Sequence, residues 1–325
     1  MESMSSVSVV ATVLNEAGDI DRMVTSLMQQ TLAPAEVIIV DGGSSDGTWE
    51  RLQAARTKYP HLIPIRDESC RLPNSPGPIS RGRNVAIAAA SSEVVACVDA
   101  GCSYAPDWLE RLTASIRSGK SEYSLGGSCL DPEARTAWDI ASAAFLGVKL
   151  GADAKTKSCT ARSMAFRKEL WQRVGGFPED ILLGEDTVFD FKVRALVTPA
   201  FAERAKALYR PRHTLGSALG QMARYALSDG IAGVRSARLL RNLSRCVLEI
   251  VAVALLGYTV IPLLCVLALE VYYAFRLDWR DLRGASAQAL AGRMLFSLLV
   301  PWVVAWNQIK GTITKTHRPN PQNLG

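Results

Sequence analysis

Histidine is nearly absent from this chain, with three in 325 residues (His61, His213 and His317). The seven cysteines, at 70, 97, 102, 129, 159, 246 and 265, form no C-x-x-C pair and leave an odd count. These shortages exclude a zinc module and a disulfide framework, and reduced thiols are expected. The glycines of a dinucleotide loop are missing too. The stretch that ends the first apolar run reads Thr12-Val13-Leu14-Asn15-Glu16-Ala17-Gly18, not G-x-G-x-x-G, and no G-x-x-x-x-G-K-[ST] loop occurs. Nicotinamide oxidoreductases and P-loop nucleotidases therefore lose their defining feature. No basic leader precedes the first apolar run, so a secretory signal is not expected.

What is present is a folding chain with an uneven distribution of apolar residues. Hydrophobic residues make up 48% and charged residues 21%, which excludes broad disorder. The length suits two domains, or one large α/β domain with an appendage. A net charge of +6 favours anionic partners, and no nucleic-acid motif accompanies it. The composition changes near residue 230. Arg235, Arg238, Arg241 and Arg245 recur without an acid among them, and the run Val247 to Phe275 is broken only by Glu249, Pro262 and Glu270. A second apolar run, Met294 to Ile309, carries Trp302 and Trp306. The expected organisation is a globular domain over 1–230, a basic juxtamembrane segment over 231–246 and a transmembrane region of about two helices over 247–310. A basic cytoplasmic tail would follow over 311–325. The arginines would meet anionic headgroups, and Lys310, Lys315 and Arg318 fit a hairpin with both ends cytoplasmic. The alternatives are a first segment re-entrant at Pro262, and two core helices of a soluble domain.

Within the first 230 residues, strand and helix patterns alternate. Val7 to Leu14, Val37 to Val40, Leu62 to Ile65 and Val94 to Val98 read as buried strands. Ile20, Met23, Val24, Leu27 and Met28 form the apolar stripe of a helix, and further helices are expected over Thr48 to Lys58 and near Asn84 to Ala90. This is a mainly parallel sheet flanked by helices, and such sheets bind ligands beyond the carboxyl ends of their strands. Those ends read Asn15-Glu16, Asp41-Gly42-Gly43-Ser44 and Asp99-Ala100-Gly101. A carboxylate followed by small residues can accept hydrogen bonds from a base or ribose, or meet a cation, while backbone amides approach phosphate. Cys97 and Cys102 flank the third tip without a base beside them and are expected to be packing residues.

The segments VSVVATVLNEAGDI, PAEVIIVDGGSSDGT, SRGRNVAIAAASSEVVACVDAGC, WQRVGGFPED and LLGEDTVFDFKVR resemble, in order, the blocks of family 2 glycosyltransferases. The resemblance covers about residues 7 to 230. It implies a GT-A fold, inversion at the sugar carbon, a nucleotide-sugar donor and, for the apolar C-terminal part, a membrane-attached member. It implies a nucleotide site of Thr12, Asn15, Glu16, Asp41, Arg83, Asn84 and Asp99, with Asp41 reading the base. Gly175, Gly176 and Phe177 match the glycine loop beside donor sugar and acceptor. Asp186 matches the general base, and Glu185 its neighbour. Gln221 and Arg224 resemble a Q-x-x-R motif, here with Tyr225 next, as an acceptor or diphosphate contact.

One departure concerns metal. The family's D-x-D motif reads Asp99-Ala100-Gly101 here, with one carboxylate instead of two. The resemblance implies Mg²⁺ or Mn²⁺ held by Asp99 with donor phosphates and His213. The acceptor implied is a lipid-linked sugar or growing glycan at the cytoplasmic membrane face. A catalytically silent, membrane-associated nucleotide-binding partner of a glycan assembly complex is the competing expectation, and a sugar nucleotidyltransferase is disfavoured because Thr12 to Gly18 holds neither Arg nor Lys.

Overall fold

The apolar, β-branched run Val7–Val13 forms β1, the strand on which the rest of the sheet is built. The computed structural model describes residues 6–133, 139, 160–211, 214–233, 236–275 and 286–315. Two units are distinguished: Met1–Pro132 with Gly151–Arg210, and Glu133–Leu150 with Pro211–Gly325.

In the first unit β1 is flanked by β2 (Glu36–Asp41) and β4 (Val94–Cys97), both parallel to it, and β3 (Leu62–Arg66) pairs parallel with β2. Beyond β4 the directions are mixed: β7 (Met164–Arg167) pairs antiparallel with β4 and with β6 (Tyr123–Leu130), β6 pairs parallel with β8 (Ala200–Tyr209), and β8 pairs antiparallel with β5 (Cys102–Tyr104). The order is β3-β2-β1-β4-β7-β6-β8-β5. The sheet is thus parallel in the half that the sequence pattern disclosed and mixed in the other. Val13 lies opposite Asp41 and Val10 opposite Cys97, so three strands end along one edge.

The helices follow their apolar spacing. α1 (Ile20–Met28) buries Ile20, Met23, Val24 and Leu27. α2 (Thr48–Lys58) starts after Gly47, whose φ of 95° no β-branched residue would adopt without strain. α3 (Pro78–Ala89) starts six residues before the expected Asn84, because Pro78 occupies the first turn, where a missing N–H costs nothing. It lies so close to β1 that a Cβ on Gly82 would sit 2.0 Å from Thr12 Oγ1. α4 (Trp108–Arg117), α5 (Lys168–Arg173) and α6 (Glu185–Arg194) complete the unit's described helices. Phe166, Phe177 and Phe189 meet in the core between α6 and the sheet, Phe177 stacked on Phe189 at 4.1 Å.

The second unit contains α7 (Leu215–Ala232), α8 (Ser236–Ala254), α9 (Ile261–Phe275) and α10 (Ala287–Lys315). The expectation of one long span over Val247 to Phe275 is corrected here. That run breaks after Ala254 into a short 3₁₀ turn over Leu255–Gly257 and restarts at Ile261, whose N–H donates to Thr259 Oγ1 at 3.2 Å. Pro262, in the first turn of α9, cannot donate back into a continuous helix. Among the described residues, only Leu290–Thr314 is long and apolar enough to cross a membrane, by length and composition. The described helices thus support the expected two-span hairpin only in part and do not support a multi-pass arrangement.

Of the four arginines expected at headgroups, two are engaged inside the unit, and Arg235 lies outside the described residues. Arg245 is buried and donates from Nε to Glu270 Oε1 at 3.1 Å and from its terminal nitrogen to Ser297 Oγ at 3.0 Å. Arg238 pairs with Asp229 at 3.2 Å. Arg241 is exposed. Glu270, one of the two acids inside the apolar run, is the partner of Arg245, and a buried charge of this kind persists only with such a partner.

Candidate active site

The β1 and β2 tips are laced together. Asn15, at φ 56°, donates its N–H to Ser44 Oγ at 2.8 Å and accepts from Ser45 N at 2.9 Å through Oδ1. Glu16 N donates to Thr48 Oγ1 at 2.8 Å, and Ala17 N to Asp46 Oδ2 at 3.0 Å. The left-handed backbone at Asn15 turns the chain so that consecutive amides meet the second loop, and asparagine tolerates that conformation. Asp41 is fully buried, and its carboxylate accepts from Ser44 N at 3.1 and 3.2 Å and from the Ser44 hydroxyl. It braces the loop from beneath.

A second constellation gathers at the β4 tip. Arg83 projects from α3, fully buried, and donates to Asp99 Oδ1 at 2.8 Å and to Glu185 Oε1. Its guanidinium lies 5.5 Å from the centre of the Phe177 ring. Burial works against the Arg83 charge, but Glu185 and Asp99 more than offset it and hold the group above the usual arginine range. Burial pushes the Glu185 carboxyl up, against the pull of Arg83, and the neighbouring Asp186 adds to the rise. Asp186 follows Glu185 at the start of α6. Its Oδ1 accepts from Thr187 N at 2.7 Å and its Oδ2 from Ala161 N at 3.4 Å. Asp99, Arg83, Glu185 and Asp186, from three distant stretches of chain, therefore form one chain of charges.

Asn84 and the glycine loop also meet. Asn84 Oδ1 accepts from Phe177 N at 2.9 Å and Trp171 Nε1 at 3.0 Å, while its Nδ2 donates to Phe177 O and to Glu179 Oε1, both at 2.9 Å. The amide clasps Gly175-Gly176-Phe177, where both glycines have φ near 75°. A Cβ on Gly176 would lie 3.0 Å from Asn84 Oδ1. Thr12 packs against α3 at Gly82.

Sequence reasoning missed Arg162. Its guanidinium lies 4.4 Å over the Tyr209 ring, with Nε 3.9 Å from Asp99 Oδ2. A single arginine before an unassigned strand gave no signal. Gln221 and Arg224 stand on α7, in the second unit. Gln221 is buried and its Nε2 donates to Tyr225 Oη at 3.0 Å, while Arg224 is exposed. His213 lies outside the described residues. Cys97 and Cys102 are buried, and burial pushes both thiols up to about 12, so neither is a nucleophile at neutral pH.

The fit of a divalent cation turns on Asp99. Its Oδ1 belongs to Arg83, whereas Oδ2 has only the longer Arg162 contact, and the side chain is 36% exposed. Hard cations of the Mg²⁺ type are commonly held by one or two carboxylates plus substrate phosphates. One available carboxylate oxygen fits that mode, and among the described residues no group of three metal-ligating side chains gathers elsewhere.

A parallel half-sheet with laced loops at its tips, joined to a mixed half that carries an acidic pair, is the GT-A type of glycosyltransferase fold. The family model described as glycosyl transferase family 2 matches residues 8–138. Glycosyltransferase AglE of Haloferax volcanii is 31% identical over 186 residues, 55% of this chain and 58% of that one. Succinoglycan biosynthesis protein ExoA of Rhizobium meliloti is 26% identical over 219 residues, 64% of either chain. This chain thus spans about three-fifths of the length of these relatives. The mannosyltransferase PcManGT from Pyrobaculum calidifontis, solved with GDP-Man and Mn²⁺, superposes with a TM-score of 0.55 at 17% identity, covering 97% of this chain and 88% of that one.

Proposed function

We propose that this chain is an inverting glycosyltransferase. It moves a sugar from a nucleoside-diphosphate sugar to a hydroxyl of a lipid-linked sugar or glycan at the cytoplasmic membrane face. The observation that carries the reading is the Asp99–Arg83–Glu185 relay, which ties the strand tip of a nucleotide fold to the carboxylate beside it, Asp186. Asn15, Glu16 and the loop braced by Asp41 would cradle the nucleotide. Arg162 and the charge on Arg83 would face the diphosphate. The acceptor oxygen attacks the anomeric carbon, its proton passes to the Asp186 carboxylate, and the bond to the diphosphate breaks with its electrons leaving on that group. The Gly175-Gly176-Phe177 loop, fixed by Asn84, would border the sugar. Asp99, together with donor phosphates, would hold Mg²⁺ or Mn²⁺, which supplies positive charge to the leaving diphosphate when bound.

Titration with UDP-, GDP- and dTDP-sugars, with and without Mn²⁺, tests this reading. One donor is expected to bind well ahead of the others. If none binds under either condition, the glycosyltransferase reading fails. A silent nucleotide-binding partner is the second reading, favoured by Gly101 in place of the second acid. It predicts donor binding without transfer to any acceptor.

Gly101 also offers a gain-of-function test. A Cβ there would meet only Tyr209 Cε2, at 3.8 Å, so a side chain has room. Gly101→Asp should tighten Mn²⁺ binding about tenfold or more in the presence of nucleoside diphosphate, because a second carboxylate joins Asp99. Calorimetric titration of Mn²⁺ measures it, and an unchanged affinity would remove Asp99 as the cation's anchor.

A further inference from the structure

We infer that the second unit enters one leaflet of an anionic bilayer through the outer face of α8 and α9, and that α10 does not cross. The inference rests on the membrane reading above and states how that membrane is met. α10 is long enough to cross, yet one of its faces is occupied. Phe296, Val300 and Val304 pack on Ala218, Met222 and Ala226 of α7. Further along, a Cβ on Gly230 would lie 2.1 Å from Gln308 O, and one on Gly311 would lie 2.1 Å from Leu227 O. α7 therefore accompanies α10 from about residue 296 to residue 311. It carries buried Gln221, Ser228 and Asp229 with exposed Arg224, groups that hydrocarbon excludes. An α10 that crossed would drag this polar helix to mid-bilayer depth.

The apolar surface lies elsewhere in the unit. Val247, Ile250 and Val253 on α8, and Ile261 and Leu264 on α9, are 55–65% exposed, and Tyr258 at the turn between them is 89% exposed. The opposite side is tied to α10 by the buried Arg245–Glu270–Ser297 cluster, so among the described residues of the unit these apolar side chains stay uncovered. Length decides between dipping and crossing. At about 1.5 Å per residue, the apolar stretch Ile261 to Phe275, after which the sequence turns to Arg276, Asp278, Arg280 and Asp281, accounts for roughly 22 Å, and Val247–Ala254 of α8 for about 12 Å, against about 30 Å of hydrocarbon. Charge selects the lipid. Exposed Arg241 precedes the apolar stretch on α8, and Arg276, Arg280 and Arg283 follow α9 in the sequence.

The test uses the full chain with Cys265→Ala and Cys159→Ser, carrying either Ser286→Cys or Thr314→Cys at exposed positions on either side of α10. A membrane-impermeant maleimide is applied to sealed inverted vesicles from the expressing host. Both cysteines are expected to react without detergent, whereas protection of either one means that a helix crosses and overturns the inference. Separately, purified protein should pellet with vesicles of phosphatidylcholine plus phosphatidylglycerol. Val253→Asp and Ile261→Asp, at exposed positions, should weaken that binding about tenfold with nucleotide binding retained. If the wild type does not bind vesicles and instead forms a dimer that Val253→Asp dissolves, the occupant is a second copy. In that case the membrane reading falls with the inference, whereas vesicle binding with a protected cysteine sinks the inference alone.

Discussion

Asp186→Asn is expected to lower the rate of sugar transfer about 10³-fold while leaving nucleotide-sugar affinity unchanged. A positioned base contributes on the order of 10²- to 10⁴-fold, and the amide cannot take the acceptor's proton. The substitution is isosteric, and its carbonyl oxygen can still accept from Thr187 N or Ala161 N, so α6 should begin as before. Glu185→Gln provides the contrast. Glu185 is buried and bonded to Arg83, so its loss disturbs the charge relay behind the site and should lower stability as well as rate. Single-turnover transfer and calorimetric donor binding separate the two. If Asp186→Asn transfers at the wild-type rate, Asp186 is not the base, and Asp180, which ends the preceding block WQRVGGFPED, becomes the candidate to examine.

The sequence disclosed most where burial is two-sided. β1 to β4 are continuous apolar runs, and α1 shows its stripe, so each was legible within a residue or two. β5 to β8 were not. Tyr123–Leu130 contains Gly126 and Gly127, and Ala200–Tyr209 carries three charges, so neither reads as a core strand. The charged tips were visible because Asp-Gly and Asp-x-Gly at strand ends are local patterns. Their partners were not. Nothing in the spacing announces that Arg83 spans Asp99 and Glu185, that Asn84 faces the glycine loop, or that Arg162 reaches Asp99. Those contacts depend on how α3, α6 and the β7 approach meet in three dimensions. The break in the first apolar run was illegible for a related reason. Hydropathy counted Val247 to Phe275 as one run, whereas the backbone break and the buried Arg245–Glu270 pair, 25 residues apart, depend on tertiary packing.

Arg83→Met should destabilise the first unit by about 3–5 kcal/mol and abolish transfer, because it strands Glu185 as an uncompensated buried charge. The loss should depend on pH in a defined direction. Burial already pushes Glu185 up, and without the opposing guanidinium it rises further. A raised folded-state value means that the variant keeps its stability where the carboxyl is protonated and loses it as pH rises through that value. The deficit against wild type should therefore be small in acid and full at neutrality, as read from urea midpoints across pH. Arg83→Lys keeps the charge but not the two-pronged geometry that spans Asp99 and Glu185, and should fall between. The decisive comparison is the double variant Arg83→Met with Glu185→Leu. Removing both partners leaves no stranded charge, so most of the stability should return, Asp99 being open enough to be solvated. Transfer should not return, because the strand tip is no longer linked to the start of α6. Recovery of both together would show that the relay only holds the fold. Recovery of stability alone means that these buried charges were retained for the chemistry at Asp186.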